Sequence, residues 1–406
     1  MFLILEHCYI VKSLSILTYF ERVRFMSKLE DLIAELCPNG VEYKKISDVA
    51  DYEQPTKYIV KSTKYDNSFA TPVLTAGQSF ILGYTDELDN IYLASKDDPV
   101  IIFDDFTGAI QWVDFPFKVK SSAMKMITAK PNVLIRYLYH WMLLLGFSSS
   151  EHKRLWIGTY SNFEIPIPPL EVQAEIVRIL DTFTELTAEL TAELTARSKQ
   201  YEYYRDALLT FDDNNPLHSL ISRYCPNGVE YKKIGDIAFI STGSKLSDIQ
   251  ESPSLYEYIN AGTTNSGYSL DWNCDGDVVT TPSRGQGGIG YIGYQKNKFW
   301  LGPLCYKIVG NDSFVLNKYL YYYLSNNSYE ILSLKKDGGI PAINKSDLEE
   351  LILPIPPLEV QRQIVQILDR FDSLCNDLTQ GLPAEIEARR KQYEYYRDQL
   401  LTFKRA

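Results

Sequence analysis

Paired cysteines are missing from this 406-residue chain. The six present, Cys8, Cys37, Cys225, Cys274, Cys305 and Cys375, are scattered and form no CxxC. That excludes a disulfide scaffold and a cysteine-type zinc site, and suits a reducing cytoplasm. Histidine is scarce as well: His7, His140, His152 and His218 lie too far apart to suggest a metal site. No run is long and apolar enough to cross a bilayer. Met1 to Phe20 is interrupted by Glu6, His7 and Lys12, and has neither the basic start nor the cleavage site of a signal peptide. Val133 to Phe147 is too short and contains Arg136 and His140, so it is expected to be a buried core helix of a soluble protein. Basic excess is lacking too. Lys and Arg number 41 against 52 Asp and Glu, a net charge of −11. Whole-surface attraction to phosphate is therefore absent, and any nucleic-acid binding must rest on local patches.

Catalytic signatures are also missing. There is no P-loop and no HExxH. Gly285 to Gly290 reads GQGGIG, but the strand-like YIGYQ comes after it where a dinucleotide fingerprint needs a helix. A tight turn between strands is the expectation there. Ser122-Ala-Met-Lys125 matches S-x-x-K, yet the chain has no K-T-G box downstream, so the match is taken as chance.

What is present is a repeat. Apolar content of 45% with 23% charged residues describes a folded chain, and the length suits two or three domains. CPNGVEYKKI occurs at Cys37 to Ile46 and again at Cys225 to Ile234, 188 residues later. PIPPLEVQ occurs at Pro166 and Pro354, again 188 apart, and KQYEYYRD at Lys199 and Lys391, 192 apart. The chain is a tandem duplication whose second copy has gained four residues between its last two landmarks. The frame is letter-identical, while the stretches between CPNG and PIPP share only fragments, such as VLIRYLY at Val133 and VLNKYLY at Val315. One frame with two different contents implies one job performed on two targets.

The frame segments carry helical periodicity. From Val172 apolar positions recur at 176, 179, 183, 186, 190 and 194, then at 201, 204 and 208, a narrow coiled-coil stripe with a stutter in the tetrad run TAELTAELTA. Leu186, Leu190 and Leu194 are the expected spacer residues of the first rod, and Leu374, Leu378 and Leu382 those of the second. Gly381 and Pro383 interrupt the second rod, so a kink or a restart with Pro383 as the first residue of a new helix is expected there. Each rod has one apolar seam, and the simplest partner for each is the other, antiparallel about a pseudo-two-fold axis. The duplicated KQYEYYRD places Tyr203 and Tyr395 off that seam with Arg205 and Arg397 beside them, as candidates for docking two copies of one partner.

The two middles read as mixed α+β. Val100 to Phe103, Val278 to Thr281, Ile289 to Tyr294 and Cys305 to Val309 are expected strands; Val133 to Leu145 and Leu316 to Leu324 are expected helices. Between them run loops rich in Thr, Ser, Asn, Gln and Tyr (Thr75 to Tyr84, Asn260 to Tyr268, Thr280 to Gln286), side chains suited to base edges. Residues 41–165 and 229–353 are net −2 and −3, whereas the rod 170–212 is net −5, so the modules can present basic faces. Candidate DNA contacts are Lys57, Lys61, Lys64, Gln78, Lys153 and Arg154 in the first module. In the second they are Lys245, Thr263, Asn265, Arg284, Gln286, Lys296, Lys298, Lys335 and Lys336.

Together the double CPNGVEYKKI, the double PIPPLEVQ opening a heptad helix, the TAEL tetrads and the double KQYEYYRD resemble the specificity subunit of type I restriction-modification systems. The resemblance covers residues 26 to 404. It implies two target recognition domains, each reading half of a bipartite DNA sequence. It further implies helices that space them and dock two modification (methyltransferase) subunits, with restriction/translocase subunits joining later. S-adenosylmethionine, ATP and magnesium would belong to those partners, and no cofactor to this chain. Residues 1–25 fall outside the repeat and outside the family pattern.

The expected architecture is two mixed α/β target recognition domains separated by a pair of long antiparallel coiled-coil helices. The expected boundaries are 1–25 for an extension, 26–165 and 213–353 for the recognition domains, and 166–212 and 354–406 for the spacer helices. The expected function is non-enzymatic DNA recognition and assembly in the cytoplasm. A self-contained modification enzyme would need a cofactor loop and an N-P-P-[FY] type box, and neither is present. A protein-binding coiled-coil scaffold without DNA readout is the alternative that a gel-shift on duplex DNA separates.

Overall fold

A computed structural model describes residues 27–75, 79–147, 153–253, 255–285, 287–336 and 340–406. The extension 1–25 and the candidates Gln78 and Gln286 lie outside the described residues. The chain forms two compact units, one of residues up to Glu189 together with Glu387–Ala406, the other of Leu190–Ile386.

In the first unit a helix over 27–36 leads to the CPNG turn, where Gly40 takes φ +96°. A Cβ at that position would stand 2.5 Å from the Lys404 carbonyl oxygen, so only glycine lets the C-terminal segment lie against it. Strand Glu42–Lys45 then pairs antiparallel with Glu164–Ile167, Glu42 opposite Ile167, closing the module at its base. Between these strands lie two sheets. One has four antiparallel strands in the order Ala50–Glu53, Met124–Ala129, Val100–Asp104, Ile110–Val113. The other has three, Ile81–Thr85, Thr71–Leu74 and Lys118–Val119, the last pair parallel. Val100 to Phe103 is an unbroken buried apolar run, and it takes a central position in the four-stranded sheet. Helix Ile135–Leu145 buries Tyr137, Leu138 and Met142 in the core with Ile101, Phe103 and Ile127.

The second unit repeats this plan. Glu230–Lys233 pairs with Ile352–Ile355, Glu230 opposite Ile355, the same register 188 residues on. Its four-stranded sheet runs Ala238–Thr242, Cys305–Gly310, Val278–Pro282, Gly293–Gln295, and its three-stranded sheet Tyr268–Ser269, Tyr256–Ile259, Trp300–Leu301. Middles that share few letters thus build the same sheets in the same order. The strand expected over Ile289 to Tyr294 is a correction: residues 287–290 turn, with Gly290 at φ +91° and the Tyr291 N–H donating to the Gly288 carbonyl, and only Gly293–Gln295 joins the sheet.

Helix Leu170–Leu209 is 40 residues long, about 60 Å at 1.5 Å per residue. Pro168 and Pro169 precede it, and the Pro169 carbonyl accepts the N–H groups of Val172 and Gln173 in its first turn. Its first half belongs to one unit and its second half, from Leu190, to the other. The second rod is broken, as the glycine and proline require. Helix Leu358–Asn376 ends, the Asp377 carboxylate accepts the N–H groups of Thr379 and Gln380, and a new helix runs Leu382–Leu400. Gly381 is packed so closely that a Cβ would lie 2.6 Å from the Ser373 carbonyl oxygen. Leu382, one residue before the expected Pro383, opens the new helix; proline in a first turn needs no N–H partner. Leu378 is a further correction. It falls in the break and is 79% exposed, while Cys375 is buried one turn earlier.

Candidate nucleic-acid and partner interfaces

The frame explains why its letters are the same in both copies. Gln173, buried, accepts the Leu134 N–H at 2.9 Å and donates to the carbonyls of Asn132 (3.0 Å) and Pro168 (2.8 Å). Gln361 repeats the pattern with the Leu316 N–H (2.9 Å) and the carbonyls of Phe314 (2.8 Å) and Pro356 (2.7 Å). Tyr137 donates to the Pro166 carbonyl and Tyr319 to that of Pro354. These residues lock each module's helix to its frame helix. Neither glutamine stood among the sequence candidates, although their identity in both copies was the available signal.

Each unit also pairs the start of one frame helix with the KQYEYYRD copy of the other. In the first unit Phe183 stacks on Tyr396 at 5.2 Å, while Arg405 ion-pairs with Glu164, so the two segments run antiparallel. In the second unit Tyr201 and Tyr204 stack on Phe371 at 6.1 and 5.7 Å. His140 is buried beside the first pair. Its Nδ1 lies 3.0 Å from the Tyr393 hydroxyl and its Nε2 3.0 Å from Asp181, which also accepts from Arg136 at 2.8 Å. The corresponding place in the second unit holds Tyr322, whose hydroxyl donates to Asp369 at 2.5 Å. Burial is the largest influence on His140 and lowers its pKa, against the pull of Asp181.

Of the docking candidates, Tyr203 and Tyr395 are 68% and 59% exposed, each set edge-on against the neighbouring seam tyrosine. Arg205 and Arg397 pair with Asp206 and Asp398 and lie 5.8 Å from the Tyr201 and Tyr393 ring centres. Among the spacer leucines, Leu190 and Leu382 are buried and Leu186, Leu194 and Leu374 half-buried.

The DNA candidates fall into groups. In the first module Lys57 pairs with Glu53 at 2.8 Å, and the neighbouring Tyr52 packs on Trp156, two residues beyond Arg154. Arg154 lies 3.6 Å from Asp105, whose carboxylate accepts the Trp156 N–H and pairs with the buried Lys125. The Lys125 of the S-x-x-K match thus serves as an internal counter-ion. Lys61 pairs with Asp89, and Lys64 forms no ion pair with a described residue. Lys153 is exposed.

In the second module Arg284 and Lys336 both bridge Ala342, which brings them together, with Lys335 adjacent; Lys336 pairs with Asp347 at 2.7 Å. Lys298 sits 4.0 Å over the Trp272 ring and 3.7 Å from Asp275. Lys245, Arg284 and Lys296 are exposed and form no ion pair with a described residue. Thr263 and Asn265 line a recess of about 360 Å³. Among the described residues no group of three His, Cys, Asp or Glu could hold a metal ion, and no helix is long and apolar enough to cross a membrane.

The profile of the type I restriction modification DNA specificity domain matches the chain twice, over residues 38–197 and 226–388. The chain belongs to this family. Its members are the non-catalytic DNA-recognition components of type I restriction-modification complexes. The chain is 41% identical over 400 residues to the EcoR124I/EcoR124II specificity subunit of Escherichia coli, covering 93% of this chain and 97% of that one. It is 33% identical over 385 residues to a specificity subunit of Haemophilus influenzae designated putative, covering 89% and 96%. In fold it is similar to the S subunit of a type I system from M. genitalium, with a TM-score of 0.68 at 16% identity, covering 90% of this chain and 97% of that one.

Proposed function

We propose that each module reads one half of a bipartite DNA sequence while the helices fix the unread gap and dock two modification subunits. The observation that carries this is the contrast between frame and contents. Two modules with the same sheets in the same order display different loops and different cations, as two readers of different sequences must. The base-facing residues are Thr263, Asn265 and Arg284, with Gln78 and Gln286; the lysines and Arg154 grip phosphate. Tyr203, Arg205, Tyr395 and Arg397 are identical in both copies and serve as the docking surface, because two copies of one partner need one surface twice. Restriction/translocase subunits join that assembly. S-adenosylmethionine, ATP and magnesium are bound by the partner subunits, and the complex works in the cytoplasm.

Methylation mapping in a host expressing the chain with its modification subunits tests this reading. Two short specified sequences separated by a fixed unspecified gap are the expected result. A gel-shift of the assembled complex that shows no preference for that sequence over random duplex would refute it.

A further inference from the structure

The recess in the second unit lies between the loop Asn260–Asn265, the strand Val278–Pro282 and the segment Tyr291–Gln295. Its volume of about 360 Å³ falls at the lower end of pockets that hold small ligands. No lysine, arginine or histidine lines it, and its one charged group is the Glu257 carboxylate. Some of its polar groups are already engaged. Thr280 accepts from the Gln295 amide at 3.2 Å, and the Asn260 side-chain oxygen accepts the Leu304 N–H at 2.9 Å. The side chains of Glu257, Thr264 and Asn265 make no hydrogen bond or ion pair with a described residue. Tyr291 presents an exposed ring, and Tyr294 is held by Lys318, 4.1 Å over its ring centre. The strand that gives Thr280 and Pro282 to the recess delivers Arg284 to the surface two residues later.

A concave site accepts what protrudes from its ligand. From a DNA duplex two things can protrude: the phosphodiester backbone and a base turned out of the stack. Phosphate is disfavoured here, because its charge would meet a carboxylate and no cation. A base suits the walls, with aromatic rings for its face and acceptors for its edge. We propose that this recess receives a single base of the half-site read by the second module, turned out of the duplex, with its exocyclic amino group donating to Glu257. An amino group restricts the occupant to adenine, cytosine or guanine at that position and excludes thymine, since a carboxylate accepts and thymine offers it no amino donor. Arg284, at the surface two residues beyond Pro282, remains available to the edge of a neighbouring base that stays in the stack. The inference rests on the DNA-reading assignment above and adds to it one position and one chemistry.

The test uses the chain assembled with its modification subunits, on duplexes carrying 2-aminopurine as the neighbour of each position of both half-sites in turn, so that the base under test keeps its own amino group. A modification subunit also turns out its own target base, so a rise in fluorescence alone does not identify the recess. The identifying position is the one whose rise is lost in both Glu257→Gln and Tyr291→Ala. The account expects one such position, in one half-site. There Glu257→Gln lowers discrimination for the amino-bearing base by about 5- to 150-fold and leaves the other half-site unchanged. Thr264→Ala, on the exposed rim, is expected to weaken the same position alone. If no position responds to both substitutions, or if the methylated sequence is unchanged in Glu257→Gln, the recess does not take a base, although the chain can still read DNA. If binding falls equally on every sequence, the recess contributes to general affinity and the proposal fails. If the unsubstituted complex shows no preferred sequence, the DNA-reading assignment itself falls.

Discussion

Gln173 accepts the main-chain N–H of Leu134 at 2.9 Å from a fully buried position, and so ties the frame helix to the first turn of the module helix. Gln361 does the same for Leu316. Truncation would leave the partly buried Leu134 N–H and the carbonyls of Asn132 and Pro168, the last of them buried, without their partner. The cost is about 1–3 kcal/mol for a buried polar group left unsatisfied. Gln173→Ala should therefore lower the thermal stability of the first unit, and Gln361→Ala that of the second. Hydrogen exchange resolved by segment checks the assignment: protection should fall around Leu134 in one variant and around Leu316 in the other. Equal loss in both units would contradict the local role.

The histidine that replaces tyrosine in the first unit predicts a pH dependence confined to that unit. His140 faces Asp181, Arg136, Tyr393 and Arg397, and burial, its largest influence, holds its pKa below the ordinary 6.5. The unfolded chain therefore takes up a proton near pH 6.5 that the folded unit resists. Stability should fall as pH drops below that value, by at most about 1.4 kcal/mol per pH unit for one proton. The Asp181 carboxylate is held below its ordinary value, so its contribution disappears only at lower pH. His140→Tyr, which copies Tyr322, should flatten the profile between pH 7 and the carboxylate range. Denaturant unfolding monitored across pH provides the measurement. A wild-type profile already flat there would oppose the assignment.

Docking predicts a loss of assembly without a loss of fold. Tyr203 and Tyr395 are exposed and contribute little to either core. Changing both to Ala should leave the unfolding temperature within a degree or two and weaken capture of the modification subunits. Unchanged affinity and an unchanged two-to-one stoichiometry would show that the docking surface lies elsewhere.

Division of labour predicts that Arg284→Ala alters one half-site only. Loss of a guanidinium from a base edge costs about 1–3 kcal/mol at that position. Mapping methylated sequences in the variant distinguishes the cases, and a change in both halves together would defeat the two-reader account.

The frame was legible in the sequence because duplication prints it twice. Repeated CPNG and PIPP segments became paired strands at the base of each module, and the heptad stripe became the long helix. The break before Pro383 was legible for a local reason, since proline and a crowded glycine act on their own turn. Other features depended on tertiary partners. A tyrosine stripe shows that a seam exists but not that Tyr204 will meet Phe371 or Tyr396 meet Phe183. Leu378 fits the apolar period and is nevertheless exposed, because the helix ends at Asn376 and the periodicity does not extend into the break. In the modules, surface lysines carry no periodic signal. Lys118 and Lys125 are buried with Glu87 and Asp105, while Lys245 and Arg284 are exposed, and nothing in the local sequence separates these fates.

The most direct test of the central claim, two readers set apart by a helical ruler, is the insertion of a third TAEL after Leu194. Four residues lengthen an α-helix by about 6 Å and rotate its downstream face by only about 40°, so the apolar seam is retained. With DNA rising about 3.4 Å per base pair, that length corresponds to one or two base pairs. Methylation mapping of the insertion variant should show both half-sites unchanged and the unread gap wider by one or two base pairs, and deletion of one tetrad should narrow it. A gap of unchanged length, or a change of bases within either half-site, would contradict the account.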